Sequence, residues 1–168
     1  RWYFGIIFAA IVIITVNIRG YFDNIFIALN HAAFQVGSII TTTGYSTTDF
    51  DRWPQLSRNI IIFLMMCGAC AGSTGGGIKV SRIVVMVKSV FQEIGYYIHP
   101  RGVKTIKMDG KVLEKPVLNS IRVFILTYIM IYVISMFLLS LNNFDFETNF
   151  TAIAATFNNI GPGLAKVG

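Results

Sequence analysis

Charge is scarce in this sequence. Charged residues make up 13% of its 168 positions, against about a quarter in soluble domains. Hydrophobic residues make up 54%, and mean hydropathy is +0.64. That balance favours a membrane protein over a soluble domain. The net charge is +6, yet the basic residues do not gather on one polar face, so a nucleic-acid partner is not expected. Cysteine is limited to Cys67 and Cys70, both inside an apolar run. One C-x-x-C is half a zinc site, and no histidine follows at finger spacing. The pair reads as small residues in a helix. The first hydrophobic run has no small-residue cleavage site, so a signal peptide is not expected. The chain starts at Arg1 rather than Met, which points to a fragment or a processed product.

Long hydrophobic runs are what the sequence does have. Trp2 to Ile18 is almost wholly apolar. As a helix it spans roughly 25 Å, with Trp2 and Tyr3 as interface anchors. Arg19-Gly20-Tyr21 ends it. Asn24 to Ile40 is interrupted by Asn30, His31, Gln35, Gly37 and Ser38, which suits a short re-entrant helix better than a lipid-facing span. A polar link from Thr47 to Pro54 carries Asp49 and Asp51, and its Trp53 is expected at an interface. Leu56 to Cys70 and Ile78 to Val90 are apolar halves on either side of Gly72-Ser73-Thr74-Gly75-Gly76-Gly77. Neither half is long enough to span alone, and a glycine cluster cannot hold a helix interior. One membrane crossing broken in its middle is expected, a feature that marks ion or substrate paths.

Arg101 to Lys115 is polar, with Arg101, Lys104, Lys107, Lys111 and Lys115 set against Asp109 and Glu114, and Arg82 and Lys88 precede it. The positive-inside rule puts this loop in the cytoplasm and the link with Asp49 and Asp51 outside. The loop could meet anionic lipid or a soluble partner. Val117 to Leu141 is a further span, with Arg122 able to snorkel near its inner end. After an outer turn, Asn149 to Asn158 is again short and partly polar. Phe4, Phe8, Phe124 and Phe137 are expected to contact lipid or other helices.

The stretch Thr41-Thr42-Thr43-Gly44-Tyr45-Ser46 lies between two hydrophobic blocks. Polar backbone at membrane depth is tolerated only when buried in protein or lining a water-filled path. Carbonyls and threonine hydroxyls in a row can replace the hydration shell of a monovalent cation. Gly44 permits the φ > 0 conformation that turns successive carbonyls toward one axis. Thr42-Thr43-Gly44-Tyr45-Ser46 reads against the filter pattern T-V-G-Y-G without its last glycine. From this motif alone, a polar loop between helices is an equal reading. Asp49 and Asp51 would concentrate cations at the mouth or form a solvated loop.

The glycine run fits no phosphate loop. Gly77 is followed by Ile78 rather than Lys, and no Ser or Thr follows Lys79. Ala71-Gly72-Ser73-Thr74-Gly75 misses the nucleophile-elbow pattern by its first residue, and His31 and His99 fall at opposite levels. An enzyme is not expected. Two readings of the run stand: a mid-membrane loop that occludes a pore, and close packing of small residues between helices. Lys79 would anchor the loop or tune its position. His31 reads as a hydrogen-bonded packing residue.

Gly44 and Gly161 are 117 positions apart (161 − 44 = 117). At that offset Val36 falls on Ile153, Thr42-Thr43 on Asn159-Ile160, and Trp2 to Ile18 on Asn119 to Ser135. A repeat of span, short helix and filter is present, and its second copy lacks an inner helix. With Thr41 to Tyr45, Gly72 to Lys79 and Asn159-Ile160-Gly161-Pro162-Gly163 in view, the sequence resembles the Trk/Ktr/HKT potassium transporter superfamily, and most closely the bacterial Trk membrane subunits.

The resemblance implies an all-α membrane protein built of outer helix, re-entrant pore helix, filter and inner helix, with the inner helix broken at mid-membrane. It implies a first pore repeat over 1–98, a cytoplasmic basic loop over 99–115, and a second, incomplete repeat over 116–168. These would be the third and most of the fourth of four repeats. Filter residues would be Thr42, Thr43, Gly44, Tyr45, Asn159, Ile160, Gly161 and Pro162, with potassium on the carbonyls of Thr42, Thr43, Asn159 and Ile160. The short helices would point the negative ends of their dipoles at the ion. Asn159 and Pro162 depart from T-V-G-Y-G. Gly72, Ser73, Thr74, Gly75, Gly76, Gly77 and Lys79 would be the gating loop. The resemblance further implies potassium as cargo, no cofactor, a multi-pass bacterial inner-membrane location, a homodimer, and a cytosolic nucleotide-binding regulatory subunit. The rival reading is a membrane scaffold or binding subunit whose polar breaks only pack helices.

Overall fold

The fold, taken from a computed structural model, is described for residues 2–70, 72–98, 105–108 and 110–167. The expectations placed on Arg1, Ala71, His99, Arg101, Lys104 and Asp109 lie outside these residues. Helix α1 (Trp2–Ile18) forms from a run that is aliphatic and aromatic apart from Gly5, Thr15 and Asn17. It tightens into a 3₁₀ turn at Arg19–Tyr21, where a charge and a glycine end the apolar run. Helix α2 (Ile25–Ile40) starts at Asn24, whose Oδ1 accepts the Phe26 N–H at 3.0 Å, an N-cap that satisfies an otherwise orphaned donor. Helix α3 (Gln55–Cys67) begins after Pro54 and stops at Gly68. Helix α4 (Val80–Ile98) follows the glycine segment. Helix α5 (Lys115–Ser140) has Pro116 in its first turn, where no amide donor is needed. Helix α6 (Phe146–Phe157) leads to a last 3₁₀ turn, Ala165–Val167.

The helical fold carries one small addition and departs from expectation in two places. The addition is an antiparallel hairpin of β1 (Lys107–Met108) and β2 (Lys111–Val112). Asp-Gly is a hairpin-turn dipeptide, and Gly110 takes φ 82°. Trp53 is 5% exposed and belongs to the core rather than an interface. Helix α4 runs 19 residues, roughly 28 Å. The helix after the glycine segment is therefore longer than its apolar run, because polar residues near its end still continue the helix.

Trp2–Tyr21 and Lys115–Ser140 are long and apolar enough to cross a membrane. Only 22% and 17% of their apolar windows are buried inside this chain, so most of their surface is left for lipid or other helices. Phe4, Phe8 and Phe137 are exposed, whereas Phe124 carries the Arg82 guanidinium 4.0 Å above its ring. One core joins α1 (Ile14, Ile18), α2 (Ala28, Ala32, Val36), α3 (Ile61, Leu64), α5 (Tyr128, Tyr132) and α6 (Ile153, Ala154). Alanines at these contacts let helix backbones approach closely.

Polar ties fix the register. Ser57 donates to Asn17 Oδ1 at 2.7 Å, joining α3 to α1. Tyr132 donates to the Phe150 carbonyl at 2.6 Å, joining α5 to α6. Arg58 on α3 pairs with Glu147 on α6 and stands 3.1 Å from Asp51. Near the other end, Arg122 pairs with Glu93 at 3.4 Å rather than standing alone.

Asp145 caps α6. Its Oδ2 accepts the Thr148 N–H at 3.0 Å and its Oδ1 the Thr148 hydroxyl at 2.6 Å. The hydroxyl bond first, and the amide bond second, hold its carboxyl below the usual value. A depressed carboxyl contributes stability that is full above the unfolded pKa and lost as pH falls through the folded one. Melting of the purified protein in detergent is expected to show Asp145→Ala less stable than the parent at neutral pH. Asp145→Asn stays close to the parent there, and the gap between parent and Asp145→Ala closes only below the ordinary carboxylate range.

Candidate functional site

The two stretches singled out by the repeat end their helices in the same way. At the end of α2, the Thr42 N–H donates to the Ile39 carbonyl at 3.1 Å and the Thr43 N–H to the Ser38 carbonyl at 2.8 Å. At the end of α6, Asn159 donates to Thr156 at 3.1 Å and Ile160 to Ala155 at 2.8 Å. These paired bonds from i to i−3 and i to i−5 make a Schellman cap around one left-handed residue. That residue is Thr42 (φ 57°) in the first turn and Asn159 (φ 54°) in the second. Asparagine tolerates this region, but a β-branched threonine there is strained. Gly44 and Gly161 follow with φ 81° and 107°. The Thr41 and Thr43 hydroxyls lie 2.7 Å apart, and Thr41 also donates to the Gly37 carbonyl at 2.7 Å.

The turns meet each other. A Cβ on Gly44 would run into the Ile160 carbonyl oxygen and stand 3.2 Å from Pro162 Cδ. Ile160 is buried, Thr42 and Pro162 are half-buried, and Thr43, Tyr45, Asn159 and Gly161 are exposed. The oxygens offered are carbonyls and hydroxyls, the ligand type for a hard monovalent cation. Among the described residues no group of three His, Cys, Asp or Glu side chains could hold a metal ion. Asp49 pairs with Arg52 at 3.1 Å and Asp51 with Arg58, so the charge of both acids is offset locally. His31 hydrogen-bonds Thr47 at 2.9 Å and stacks on Phe22.

The glycine segment passes against both turns. A Cβ on Gly75 would stand 2.8 Å from the Thr42 hydroxyl. One on Gly76 would collide with the Asn158 backbone, 2.6 Å from its carbonyl carbon and 2.8 Å from its Cα. The segment also closes on the end of α3, where a Cβ on Gly68 would meet the Gly76 carbonyl oxygen at 2.5 Å. Lys79 donates from Nζ to the Ser73 carbonyl at 2.8 Å, and Ser73 Oγ accepts the Gly75 N–H at 3.1 Å. Gly72 and Thr74 are exposed.

Sequence reasoning missed three residues here. Gly68 follows an apolar run directly, the position of a helix C-cap, inside the stretch expected to stay apolar to Cys70. Asn158 falls on Thr41 at the repeat offset, one residue before the four expected to form the second filter. Tyr128 sits among aliphatic residues in α5 and carries no local signal. All three touch the glycine segment or the residue it rests on.

Comparison with known proteins places the chain. Residues 2–167 match the family described as TrkH, cation transport protein. The Trk system potassium uptake protein TrkH of Vibrio parahaemolyticus is 41% identical over 140 residues, 83% of this chain and 29% of that protein. The TrkH protein of Escherichia coli is 34% identical over 171 residues, 99% of this chain and 35% of that protein. The crystal structure of the potassium transporter TrkH from Vibrio parahaemolyticus covers 100% of this chain with a TM-score of 0.91 at 35% identity, over 36% of that chain. The fold is that of a helical membrane protein. The chain belongs to the TrkH family of cation transport proteins, in agreement with the resemblance to the Trk membrane subunits. It spans about a third of the length of these relatives.

The glycine contacts separate two substitutions. Gly76→Ala overpacks a backbone contact and is expected to cost about 1–3 kcal/mol. Gly72→Ala meets nothing within 4 Å and is expected to be neutral or slightly stabilising. The melting temperatures of the two variants in detergent check this order.

Proposed function

We propose that this chain is part of a potassium-uptake membrane subunit and contributes two of the turns that line a four-repeat pore. On this reading residues 1–98 are one pore repeat with α1 as outer helix, α2 as pore helix and α3–α4 as broken inner helix. Residues 99–115 form the cytoplasmic basic loop, and 116–168 are an incomplete second repeat with α5 and α6 as outer and pore helices. Thr42, Thr43, Gly44 and Tyr45 form one filter segment, and Asn159, Ile160, Gly161 and Pro162 the other. Their carbonyls take over the hydration of potassium, at the negative ends of the two short helices. Residues 72–77, with Lys79 as anchor, are the gate. The rest of the pore, a second copy of the subunit and a cytosolic nucleotide-binding regulator complete the system in the bacterial inner membrane.

The observation that carries this reading is the pair of matching turns set against each other, one of them strained at Thr42, with one glycine segment touching both. Backbone strain of this kind persists only where the surrounding structure over-determines it, and it clusters at ligand sites. The names of the relatives supply the cargo. One observation favours the rival reading, in which the glycines only pack helices: Gly76 lies directly on the Asn158 backbone, with no room for a Cβ.

Ion flux through the full-length protein in liposomes tests both. Gly44→Ser together with Gly161→Ser is expected to lower potassium-over-sodium selectivity, because a side chain at φ > 0 strains both turns; unchanged selectivity would remove the filter assignment. Deleting residues from 72 to 77 is expected to raise flux per folded protein. If the glycines only pack helices, folded yield drops and flux stays level or falls.

Orientation is tested separately. Single cysteines at Gln55 and Thr105, both exposed, are expected to react with an impermeant thiol reagent from outside and from inside respectively. The reverse pattern would invert the topology and undo the pore reading.

A further inference from the structure

Asn158 stands between the second turn and the glycine segment. It is fully buried, so both of its side-chain groups need partners. Its Nδ2 donates to the Ala154 carbonyl at 2.8 Å, and its Oδ1 accepts the Tyr128 hydroxyl at 2.9 Å. The first bond ties the side chain to its own helix, and the second ties it to α5. The backbone of the residue and the same Oδ1 support the glycine segment. The Asn158 backbone lies directly beneath Gly76, and its Oδ1 lies 3.3 Å from where a Gly77 Cβ would be. Gly77, Tyr128 and Phe157, with Phe124, Thr127 and Ile131, line a cleft of about 210 Å³. The segment therefore rests on Asn158 beside open space.

We propose that Tyr128 and Asn158 are a positioning pair that seats the glycine segment against the second turn. The inference rests on reading residues 72–77 as the gate and adds what holds that gate in place. While the Tyr128 hydroxyl fixes Asn158 Oδ1, the asparagine presents one rigid surface, and Gly76 and Gly77 have one place to lie. Without the hydroxyl, Oδ1 loses its buried donor and must seek another. The chain nearest that oxygen is the glycine segment at Gly77, so a shift of the asparagine disturbs the seat. Tyr128→Phe keeps the ring, which packs on Phe157 with centroids 4.9 Å apart, so apolar burial around the pair is retained.

The test uses full-length protein in liposomes, stripped of its other cysteines, with Thr74→Cys as reporter in the segment. The probe is a small cationic methanethiosulfonate reagent, and its labelling rate reports exposure of the segment independently of ion flow. Tyr128→Phe is expected to raise that rate about fivefold, which corresponds to about 1 kcal/mol, the usual worth of one hydrogen bond. Potassium flux is expected to rise with it, while potassium-over-sodium selectivity stays at the parent value. Asn158→Leu should raise labelling as well, and combining it with Tyr128→Phe should add nothing.

Parent-like labelling in folded Tyr128→Phe and Asn158→Leu would overturn the positioning pair whatever the flux. Additive effects in the double variant would overturn it too, since independent packing losses add. Faster labelling with unchanged flux would uphold the seat and count against the gate reading, so the two ideas fail separately.

Discussion

Backbone against backbone is the contact on which this structure depends. Gly44 lies on the Ile160 carbonyl, Gly76 on the Asn158 carbonyl, and Gly68 against Gly76. No side chain fits between these strands of chain, so their spacing is set by main-chain atoms alone. A contact of this kind has little compliance, because peptide groups cannot change rotamer to absorb a misfit. The ends of α2, α3 and α6 are thereby brought to one place, with the start of α4 hung from it through the Val80 N–H to the Ala69 carbonyl.

The close contacts allow strain to be held elsewhere. Thr42 sits in the left-handed region without the freedom of a glycine, a conformation that costs of order 1–3 kcal/mol. The Schellman bonds to Ser38 and Ile39 and the neighbouring Gly75 leave it nowhere to relax. The equivalent turn uses Asn159, for which the same conformation is cheap. The two turns share a backbone path and differ in stored strain. They also differ in their support: Thr41 and Asn158, at equivalent positions, each donate back to their own helix, but only Asn158 also accepts a hydrogen bond from Tyr128 on α5.

Around this centre the two halves are joined by unlike means. Apolar burial is continuous from Ile14 and Ile61 to Ile153 and Leu164. At one end of α3, Arg58 joins Asp51 to Glu147, and at the far end of α4, Glu93 meets Arg122 on α5. The α1 and α5 surfaces remain largely uncovered within this chain, as suits helices whose other neighbours are lipid or further helices.

Much of this was legible in the residues. Apolar runs located α1, α3 and α5 because hydrophobic burial needs only composition and length. Gly72 to Gly77 announced a break, because six residues so rich in glycine cannot sustain a helix. The offset from Gly44 to Gly161 matched two turns that prove alike bond for bond, because a backbone path repeats even when side chains diverge. What tertiary structure alone decided are the contacts between distant parts of the chain. Nothing local to Thr42 requires a positive φ, nothing near Trp53 says that it is core, and nothing in α5 singles out Tyr128 from its neighbours. Each is determined by an element far away in sequence: Gly75 beside Thr42, the helices that close over Trp53, and Asn158 beside Tyr128. Local propensity is a property of a few consecutive residues, whereas strain, burial and hydrogen-bond partnership exist only once remote segments meet.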